Sequence, residues 1–292
     1  MGIPQDGLEV QSYQDLFAKV GEFANDNKGK LLLFRGESDA ERPLTTNLQR
    51  FFNKVNSRDY GDYGTHEELF ALESKLVEYA RKWKLDRGGR DSWGEIIANM
   101  QHYGIPTHFL DVTRDFNVAT WFACENYRND SDAVIYCFAV ENSAIFADNL
   151  RDYKYRKNTS FALARQLNSE LGIQDKASLA SMTNHHQVPI LVESRKPNDR
   201  MQAQKGLFLY GSPGEGEYNI KAFPSDNLPY TKLIIPQKLK SCILNSVEVF
   251  SGIHRSVLFP DWQEFNNQFL DQSGHNRVLA EDKLKEALRE IQ

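Results

Sequence analysis

The sequence has few of the residues from which metal sites and disulfide frameworks are built. Among 292 residues there are only three cysteines, Cys124, Cys137 and Cys242, which are widely separated and form no CxxC pair. His185 and His186 are adjacent, so their side chains point apart, and no carboxylate or cysteine stands at ligand spacing from them. We therefore expect no metal and no disulfide, which is typical of a protein in the reducing cytoplasm.

Long apolar runs and an excess of positive charge are also missing. No apolar run approaches the roughly 20 residues that a membrane-spanning helix requires, so we expect no membrane partner. The net charge of −5 argues against sequence-independent binding to duplex nucleic acid, which needs a cationic surface. Residues 81–90 nevertheless contain five cations. We interpret them as a solvated helix end, where cations are favoured, with nucleic-acid or protein binding as the alternative.

The sequence lacks the motifs of the commonest nucleotide-binding and hydrolytic sites. No GxGxxG follows a predicted strand, and neither GxxxxGK[ST] nor GxSxG occurs. Rossmann, P-loop and serine-hydrolase sites are therefore disfavoured. A metal-dependent nuclease is disfavoured as well, because no motif of paired carboxylates is present.

Apolar periodicity and turn residues predict a chain in which helices and strands are mixed. Helices are predicted at 12–26, 66–84, 92–103 and 116–127, the second with Trp83 on its apolar face. Extended segments are predicted at 31–34, 107–113, 133–140, 188–193, 207–210 and 231–236. Without repeats or a low-complexity linker, we expect residues 1–292 to form one α+β domain with a mixed central sheet and flanking helices. Residues 145–186 are expected to form an inserted lid, and 261–292 to form C-terminal helices.

The most informative stretch is 101–113, QHYGIPTHFLDVT, which places polar side chains on both sides of a Gly/Pro corner. The helix before the corner ends at His102, and the helix dipole there favours the charged form of the imidazole. Asp111 stands between two apolar residues, and a carboxylate in such a segment should not be buried unpaired. We expect Asp111 to pair with Arg35 or with His102.

Arg35 is a second polar residue that follows a predicted strand, and Gly36 stands next to it. The planar guanidinium suits bidentate pairing with phosphate, and the glycine would let a ligand approach the backbone. Glu37 and Asp39 follow closely and provide another way to neutralise Arg35. The sequence therefore leaves two interpretations of Arg35, a phosphate site and a structural ion pair.

These two segments together resemble the FRG family. That family is named for a Phe-Arg-Gly tripeptide, here at 34–36, and is typified by QHYGxPTxxLDxT followed by a helix of the form AxxFA, here at 119–123. The likeness extends to 200–208 and 258–261, so the core of the family spans about 27–265. His108 and Val112 depart from the pattern, which commonly has Arg and usually has Trp at these positions. The resemblance implies a cytoplasmic bacterial or phage-associated protein, such as a toxin or an anti-phage effector.

The order of the parts is also similar to that of the ADP-ribosyltransferases. This second resemblance implies an ADP-ribosyltransferase-like fold with NAD as the cofactor. Arg35, with Gly36 beside it, would hold the phosphates or ribose of the dinucleotide, and Thr113 would support the nicotinamide ribose. The helix that contains residues 118–123 would then lie behind that strand.

The catalytic acid is the point at which this chain departs from the ADP-ribosyltransferases. Gln202 or Gln204 stands where those enzymes carry a glutamate. Cleavage of the nicotinamide–ribose bond builds positive charge on the sugar, and a carboxylate stabilises that charge far better than an amide. Asp111 and Glu193 are the other candidates for the acid. If none of these serves, the domain binds a nucleotide without efficient turnover.

Two classes of function follow from the two resemblances and the residues. The first is an enzyme that binds an NAD-like dinucleotide and cleaves it or transfers ADP-ribose to a protein or nucleic-acid acceptor. In that enzyme His102 is a general base, or it stacks with Tyr103 against an adenine or nicotinamide ring. The second class is a non-catalytic module that binds nucleic acid or protein through residues 81–90 and 145–186. Neither the acceptor nor the oligomeric state follows from the sequence.

Overall fold

The computed structural model describes eight stretches of the chain. These are residues 7–42, 44–55, 66–140, 144–146, 190–194, 197–210, 230–261 and 264–265. Almost all of the expected lid at 145–186 and of the expected C-terminal helices at 261–292 therefore lies outside the described residues.

The strands of the described residues form one mixed sheet. They are β1 (Leu8–Glu9), β2 (Leu31–Glu37), β3 (Phe109–Thr113), β4 (Ala133–Val140), β5 (Ala144–Phe146), β6 (Ile190–Glu193), β7 (Gly206–Tyr210) and β8 (Tyr230–Ile235). Within these residues the sheet has eight strands in the order β1-β8-β4-β2-β3-β7-β6-β5. Neighbours are antiparallel except at the two ends, where β1 pairs with β8 and β5 with β6 in parallel. The expected α+β class with a mixed central sheet is confirmed.

Helices flank this sheet, and two of them begin at the predicted caps. They are α1 (Tyr13–Asp26), α2 (Asn47–Val55), α3 (His66–Lys82), α4 (Trp93–His102), α5 (Phe116–Cys124), α6 (Asp199–Ala203), α7 (Gln237–Ser251) and α8 (Arg255–Leu258). The hydroxyls of Ser12 and Ser92 cap α1 and α4, as the sequence predicts. Helix α7 is not predicted, because Pro236 at its start offers no side-chain cap and Lys240 interrupts its apolar face. In the described residues, no helix has the length and apolar character needed to cross a membrane.

Two groups of helices cover neighbouring halves of the same face of the sheet. Helices α1, α5 and α7 pack over β2, β4 and β8 around Phe34, Ala119, Ile135 and Leu233. Helix α4 packs over β3, β6 and β7 around Phe109, Val192 and Phe208. The opposite face buries a separate apolar cluster that includes Leu33, Leu110, Tyr136 and Leu209. The boundary between the two helical groups falls at the junction of β2 and β3.

That junction is the weakest point of the sheet. Strands β2 and β3 pair only at Phe34 and Thr113, whereas β2 pairs with β4 along its whole length and β3 does so with β7. The two strands separate beyond this single pair. Backbone groups of the two central strands are therefore left without ladder partners in the middle of the sheet rather than at its edge.

Helix α5 lies very close to β2, and this contact explains the glycine of the Phe-Arg-Gly tripeptide. A Cβ built on Gly36 would lie 1.9 Å from the carbonyl oxygen of Ala119 and 2.7 Å from the amide nitrogen of Ala123. No side chain fits in that space. We find that the glycine serves helix–strand packing here, because the space beside it is filled by backbone of α5 and not left open for a ligand.

A Gly36→Ala substitution should therefore destabilise the fold by at least about 3 kcal/mol, the upper part of the range for overpacked cores. Urea denaturation measures the free energy of unfolding. Gly21→Ala is the matched control, because nothing lies within 4 Å of a Cβ at that position on α1. The control should be unchanged or more stable by about 0.5–1 kcal/mol. Equal effects of the two substitutions would contradict the packing role of Gly36.

Candidate functional site

A cavity of about 360 Å³ lies where β2 and β3 separate, between the end of α4 and the start of α5. Strands β2 and β3, the loop after β2 and helix α4 contribute mainly polar side chains: Arg35, Glu37, Arg42, Gln101, His102 and Asp111. Helices α5 and α6, strand β7 and the residue after α8 contribute an apolar wall: Val118, Phe122, Met201, Phe208 and Phe259. The cavity is therefore suited to a ligand with both a polar or charged part and a flat apolar part.

Arg35 bridges the gap between the two central strands. Its Nη1 donates to the carbonyl oxygen of Asp111 on β3 at 2.7 Å, and its Nη2 donates to the carboxylate of Glu37. The side chain is almost fully buried. The first of these bonds replaces a missing hydrogen bond of the β2–β3 ladder, so the guanidinium joins the two halves of the sheet. The strand extends to Glu37, and Arg35 therefore lies within it and not after its end as predicted.

The charges around Arg35 leave an excess of positive charge. Burial raises the pKa of Glu37, but Arg35, Arg50 and Arg42 outweigh it and hold that pKa below its usual value. Glu37 is thus a carboxylate surrounded by three guanidinium groups. Among the described residues, Glu37 and Asp111 are the carboxylates whose charges act on Arg35 and Arg50, so three guanidinium groups face two carboxylates here. Arg42 is half-exposed and lines the cavity, so it is placed to meet an anion that enters.

Asp111 presents its carboxylate to the cavity, and Gln101 positions it. The Nε2 of Gln101 donates to Oδ2 of Asp111 at 2.7 Å, and its Oε1 accepts from the hydroxyl of Thr107 at 2.7 Å. The nearest nitrogen of Arg35 lies 3.9 Å from Oδ2, so the expected pairing with Arg35 is present but long. His102 is not a partner of Asp111 in the contacts of the described residues. The sequence contains Gln101 in its most informative stretch, but does not reveal this role.

The environment of Asp111 is poorly solvated even though 55% of its side chain is accessible. The accessible surface faces a cavity that is lined by protein. Burial therefore raises the pKa of the carboxyl, and the opposing effects of Arg35 and Gln101 do not fully cancel it. The charged form of Asp111 is thus held at some cost to stability, which a positively charged reaction centre would offset.

His102 also lines the cavity, and its protonation differs from the prediction. Burial, followed by the repulsion of Arg200, lowers the pKa of its imidazole. The expectation of a charged imidazole is therefore wrong, because burial and Arg200 both disfavour the charged form. A neutral imidazole can accept a proton at pH 7. Tyr103 packs edge-on against His102 with ring centroids 4.8 Å apart, but it is exposed and does not line the cavity.

Thr113 and Gln204 join β3 to the segment that precedes β7. The hydroxyl of Thr113 donates to the carbonyl oxygen of Gln204 at 2.7 Å and accepts from the amide of Asp115 at 2.9 Å. The side-chain amide of Gln204 donates to the carbonyl oxygen of Leu258 at 3.1 Å. Thr113 and Gln204 both line the cavity, whereas Gln202 does not. Their polar groups are largely engaged in holding the cavity together.

Glu193 lies away from these residues. Its carboxylate is 3.3 Å from Arg114, and it does not line the cavity. The structure thus brings together Arg35, Gly36, His102, Asp111, Thr113 and Gln204, and leaves Tyr103 and Glu193 outside. Of the candidate acids, Asp111 is the one whose carboxylate reaches the cavity.

An aromatic and arginine cluster that the sequence does not predict forms another part of the wall. Two guanidinium groups lie near the ring of Phe259, whose centroid is 4.8 Å from Arg200 and 5.2 Å from Arg255. Arg200 is fixed by two hydrogen bonds to one carboxylate oxygen of Asp261, at 2.9 and 2.6 Å. Phe122 packs edge-on against Phe259 at 5.9 Å. The only signal for these residues is that 200–208 and 258–261 carry part of the family likeness.

In the described part of the chain, neither metal binding nor catalysis by a thiol has an evident site. There, no group of three or more His, Cys, Asp or Glu side chains is placed to hold a metal ion. His185 and His186 lie outside it. Cys124 and Cys137 are buried, and burial raises the pKa of each thiol to about 12. Neither is therefore a thiolate nucleophile near neutral pH.

The two ends of the Arg35–Asp111 contact should differ sharply in their effect on stability. Arg35→Ala should cost about 3 kcal/mol, because it leaves Glu37 buried without its main partner and removes the bridge between β2 and β3. Asp111→Asn should cost no more than about 1 kcal/mol at pH 7, because it removes a poorly solvated charge and leaves an oxygen for Gln101. Thermal or urea denaturation of both variants measures the difference. A large loss in Asp111→Asn would contradict the place of Asp111 in the cavity.

Comparison with known proteins identifies one part of the chain. Residues 30–132 match the FRG domain, over about a third of the sequence. Neither the search of curated proteins nor that of solved structures gave a match. The matched segment contains Arg35, Gln101, His102 and Asp111, and the segments at 200–208 and 258–261 complete the same cavity from beyond it. The chain contains an FRG domain at residues 30–132.

Proposed function

We propose that the cavity binds an NAD-like dinucleotide and cleaves its nicotinamide–ribose bond, with water or an acceptor hydroxyl as the nucleophile. The observation that carries this proposal is the accessible carboxylate of Asp111. It lies in a cavity with a net positive arginine group on one side and an aromatic wall on the other. A dinucleotide has matching parts, because it combines anionic phosphates, sugars and flat rings.

The arginine group supports binding of the phosphates. Arg42 is half-exposed at the cavity, and its nearest carboxylate contact, to Glu37, is 3.6 Å. Arg35 is held by Glu37 and by Asp111, so it contributes a fixed positive charge rather than a mobile side chain. An anion that binds Arg42 would also neutralise the excess charge that Glu37 leaves uncompensated.

The aromatic wall supports binding of a flat ring. Phe122 and Phe259 are packed edge-on, and two guanidinium groups hold Phe259 in place. Such rings offer apolar contact to a nicotinamide or adenine ring with little loss of side-chain entropy on binding.

The chemistry needs one negative charge and one proton acceptor. When the bond between the ribose C1′ and the ring nitrogen breaks, its electron pair leaves with nicotinamide and the sugar becomes cationic. Asp111 would stabilise that cation, and Gln101 would keep the carboxylate in place. The nucleophile then bonds to C1′ and gives its proton to the neutral imidazole of His102. The products are nicotinamide and ADP-ribose, or an ADP-ribosylated acceptor.

Asp111 is favoured over the other candidate acids by position. Glu193 is paired with Arg114 away from the cavity, and Gln204 has no charge and donates its amide to Leu258. The ADP-ribosyltransferases carry a glutamate where this chain has Gln204. That difference is explained if the catalytic carboxylate is Asp111 on β3 and does not come from the segment before β7. Consumption of NAD in the cytoplasm would suit a toxin or an anti-phage effector, and we include that role in the proposal.

The test is incubation of the pure protein with NAD and measurement of released nicotinamide. Asp111→Asn should lower the rate by about 10²-fold, because the amide cannot offset the charge of the sugar. Its affinity for NAD, measured by calorimetry, should stay within a few-fold of the wild type. Glu193→Gln is the matched control and should retain the wild-type rate.

Two results would count against the proposal. Binding of NAD without any release of nicotinamide by the wild type would favour a non-catalytic module. Equal rates in the wild type and in Asp111→Asn would remove Asp111 from the chemistry.

A further inference from the structure

The end of α3 exposes two aromatic rings on the same side of the helix. Trp83 is 79% accessible, although the helical pattern places it on the apolar face, so that prediction is wrong. Tyr79 is half-exposed. The amide of Trp83 donates to the carbonyl oxygen of Tyr79 at 3.0 Å, so the last turn is helical and the two rings are offset by about 6 Å along the axis. Both rings are therefore available to a partner.

The turn that follows these rings is rigid and strained. The amide of Leu85 donates to the carbonyl oxygen of Ala80, and that of Lys84 to Arg81, which is the double hydrogen bond of a Schellman cap. Lys84 is left-handed with φ of 59°, at the position where glycine is usual. Arg87, three residues on, is left-handed as well, with φ of 49°. Cationic residues thus occupy two backbone positions that glycine would fill with less strain.

The same turn directs its positive charges outward and its negative charges inward. Lys82, Lys84 and Arg90 are exposed, whereas Asp86 and Asp91 are buried. The amides of Gly89, Arg90 and Asp91 all donate to the carbonyl oxygen of Asp86, which fixes the loop. The ammonium of Lys82 lies 5.5 Å from the ring centroid of Tyr79. The surface therefore combines cations and ring faces on a fixed backbone.

From this geometry we infer that the surface binds single-stranded nucleic acid. We name it the α3 platform, and it consists of Tyr79, Lys82, Trp83, Lys84 and Arg90. Unpaired bases stack on exposed aromatic rings, and adjacent cations pair with the phosphates between them. Duplex nucleic acid offers no exposed base faces, and the net charge of −5 disfavours its binding.

A membrane surface fits the α3 platform less well than single-stranded nucleic acid. Trp83 and the neighbouring Leu85 are the two large apolar groups exposed beside these cations, and stable attachment to a membrane takes more buried apolar area than they supply. Stacking on Trp83 and Tyr79 needs no such area. A polymer that alternates flat bases with phosphates uses the ring faces and the cations together.

This inference stands apart from the chemistry of the cavity. The loop of the α3 platform leads directly into α4, whose opposite end places Gln101 and His102 at the cavity. Ten residues of helix separate these ends by about 15 Å. Binding at the α3 platform requires neither NAD nor Asp111, so it can be measured whether or not NAD is cleaved.

The experiment is fluorescence anisotropy of the full chain with labelled single-stranded oligonucleotides of about 12 nucleotides, the size of a typical stacking site. Wild-type protein should bind at low ionic strength and lose affinity as salt rises. Trp83→Ala should weaken binding at least about fivefold, the lower limit for loss of one stacked base. Phe250→Ala is the matched control, because Phe250 is an equally exposed ring on α7. This variant should bind the oligonucleotide with the affinity of the wild type.

Lys84→Gly separates binding from folding. Glycine relieves the left-handed strain, so this variant should melt at a higher temperature than the wild type while it binds the oligonucleotide more weakly. Weaker binding by a protein that is more stable cannot be explained by a loss of structure.

Three results would overturn the inference. They are no binding of any single-stranded oligonucleotide by the wild type, unchanged affinity in Trp83→Ala, or Trp83-dependent binding to phosphatidylserine vesicles with none to oligonucleotides. Release of nicotinamide from NAD, assayed in parallel, should be the same in Trp83→Ala and the wild type. A failure of the proposed NAD chemistry would therefore be seen separately from a failure of the α3 platform.

Discussion

The guanidinium of Arg35 is the interaction on which the cavity depends. The two central strands share a single ladder pair, and beyond it Arg35 supplies the hydrogen bond that β2 would otherwise donate to the carbonyl oxygen of Asp111. Glu37 neutralises the buried cation that makes this bond. The bridge lets the strands stay apart without leaving that carbonyl unsatisfied. A continuous ladder would fill the gap, and the carboxylate of Asp111 would then have no cavity to face.

Packing on both sides keeps the gap open, and much of that packing comes from outside the matched FRG segment. Strand β7 pairs with β3 and β4 pairs with β2, so each central strand is anchored by a partner beyond residue 132. Lys240 on α7 is fully buried, and its ammonium donates to the carbonyl oxygens of Ser38 and Ser131 and to the side chain of Asn129. The FRG segment is therefore one part of a larger structural unit that the later strands and α7 complete.

Local patterns in the sequence predict the elements well, because caps and apolar periodicity act over a few residues. Ser12 and Ser92 cap their helices as predicted, and the run at 133–140 is a strand buried on both faces. What depends on distant contacts is not predictable in this way. Position 36 requires glycine because the backbone of α5 lies against it. The hydrogen-bond partner of the Asp111 carboxylate is Gln101. Trp83 is exposed because α3 ends before it can pack. In each case the deciding neighbour is set by tertiary structure.

Asp111 and Lys84 share a property that links the cavity to the α3 platform. Burial raises the pKa of Asp111, so the fold holds its charged form at a cost that a neutral side chain would avoid. Lys84 holds a left-handed backbone at a cost that glycine would avoid. Strain and poorly solvated charge of this kind concentrate where side-chain chemistry matters more than stability. The cavity would present the carboxylate of Asp111 to a ligand, and the α3 platform would present the ammonium of Lys84. The residues that lower the stability of the fold are therefore the ones that our two proposals require.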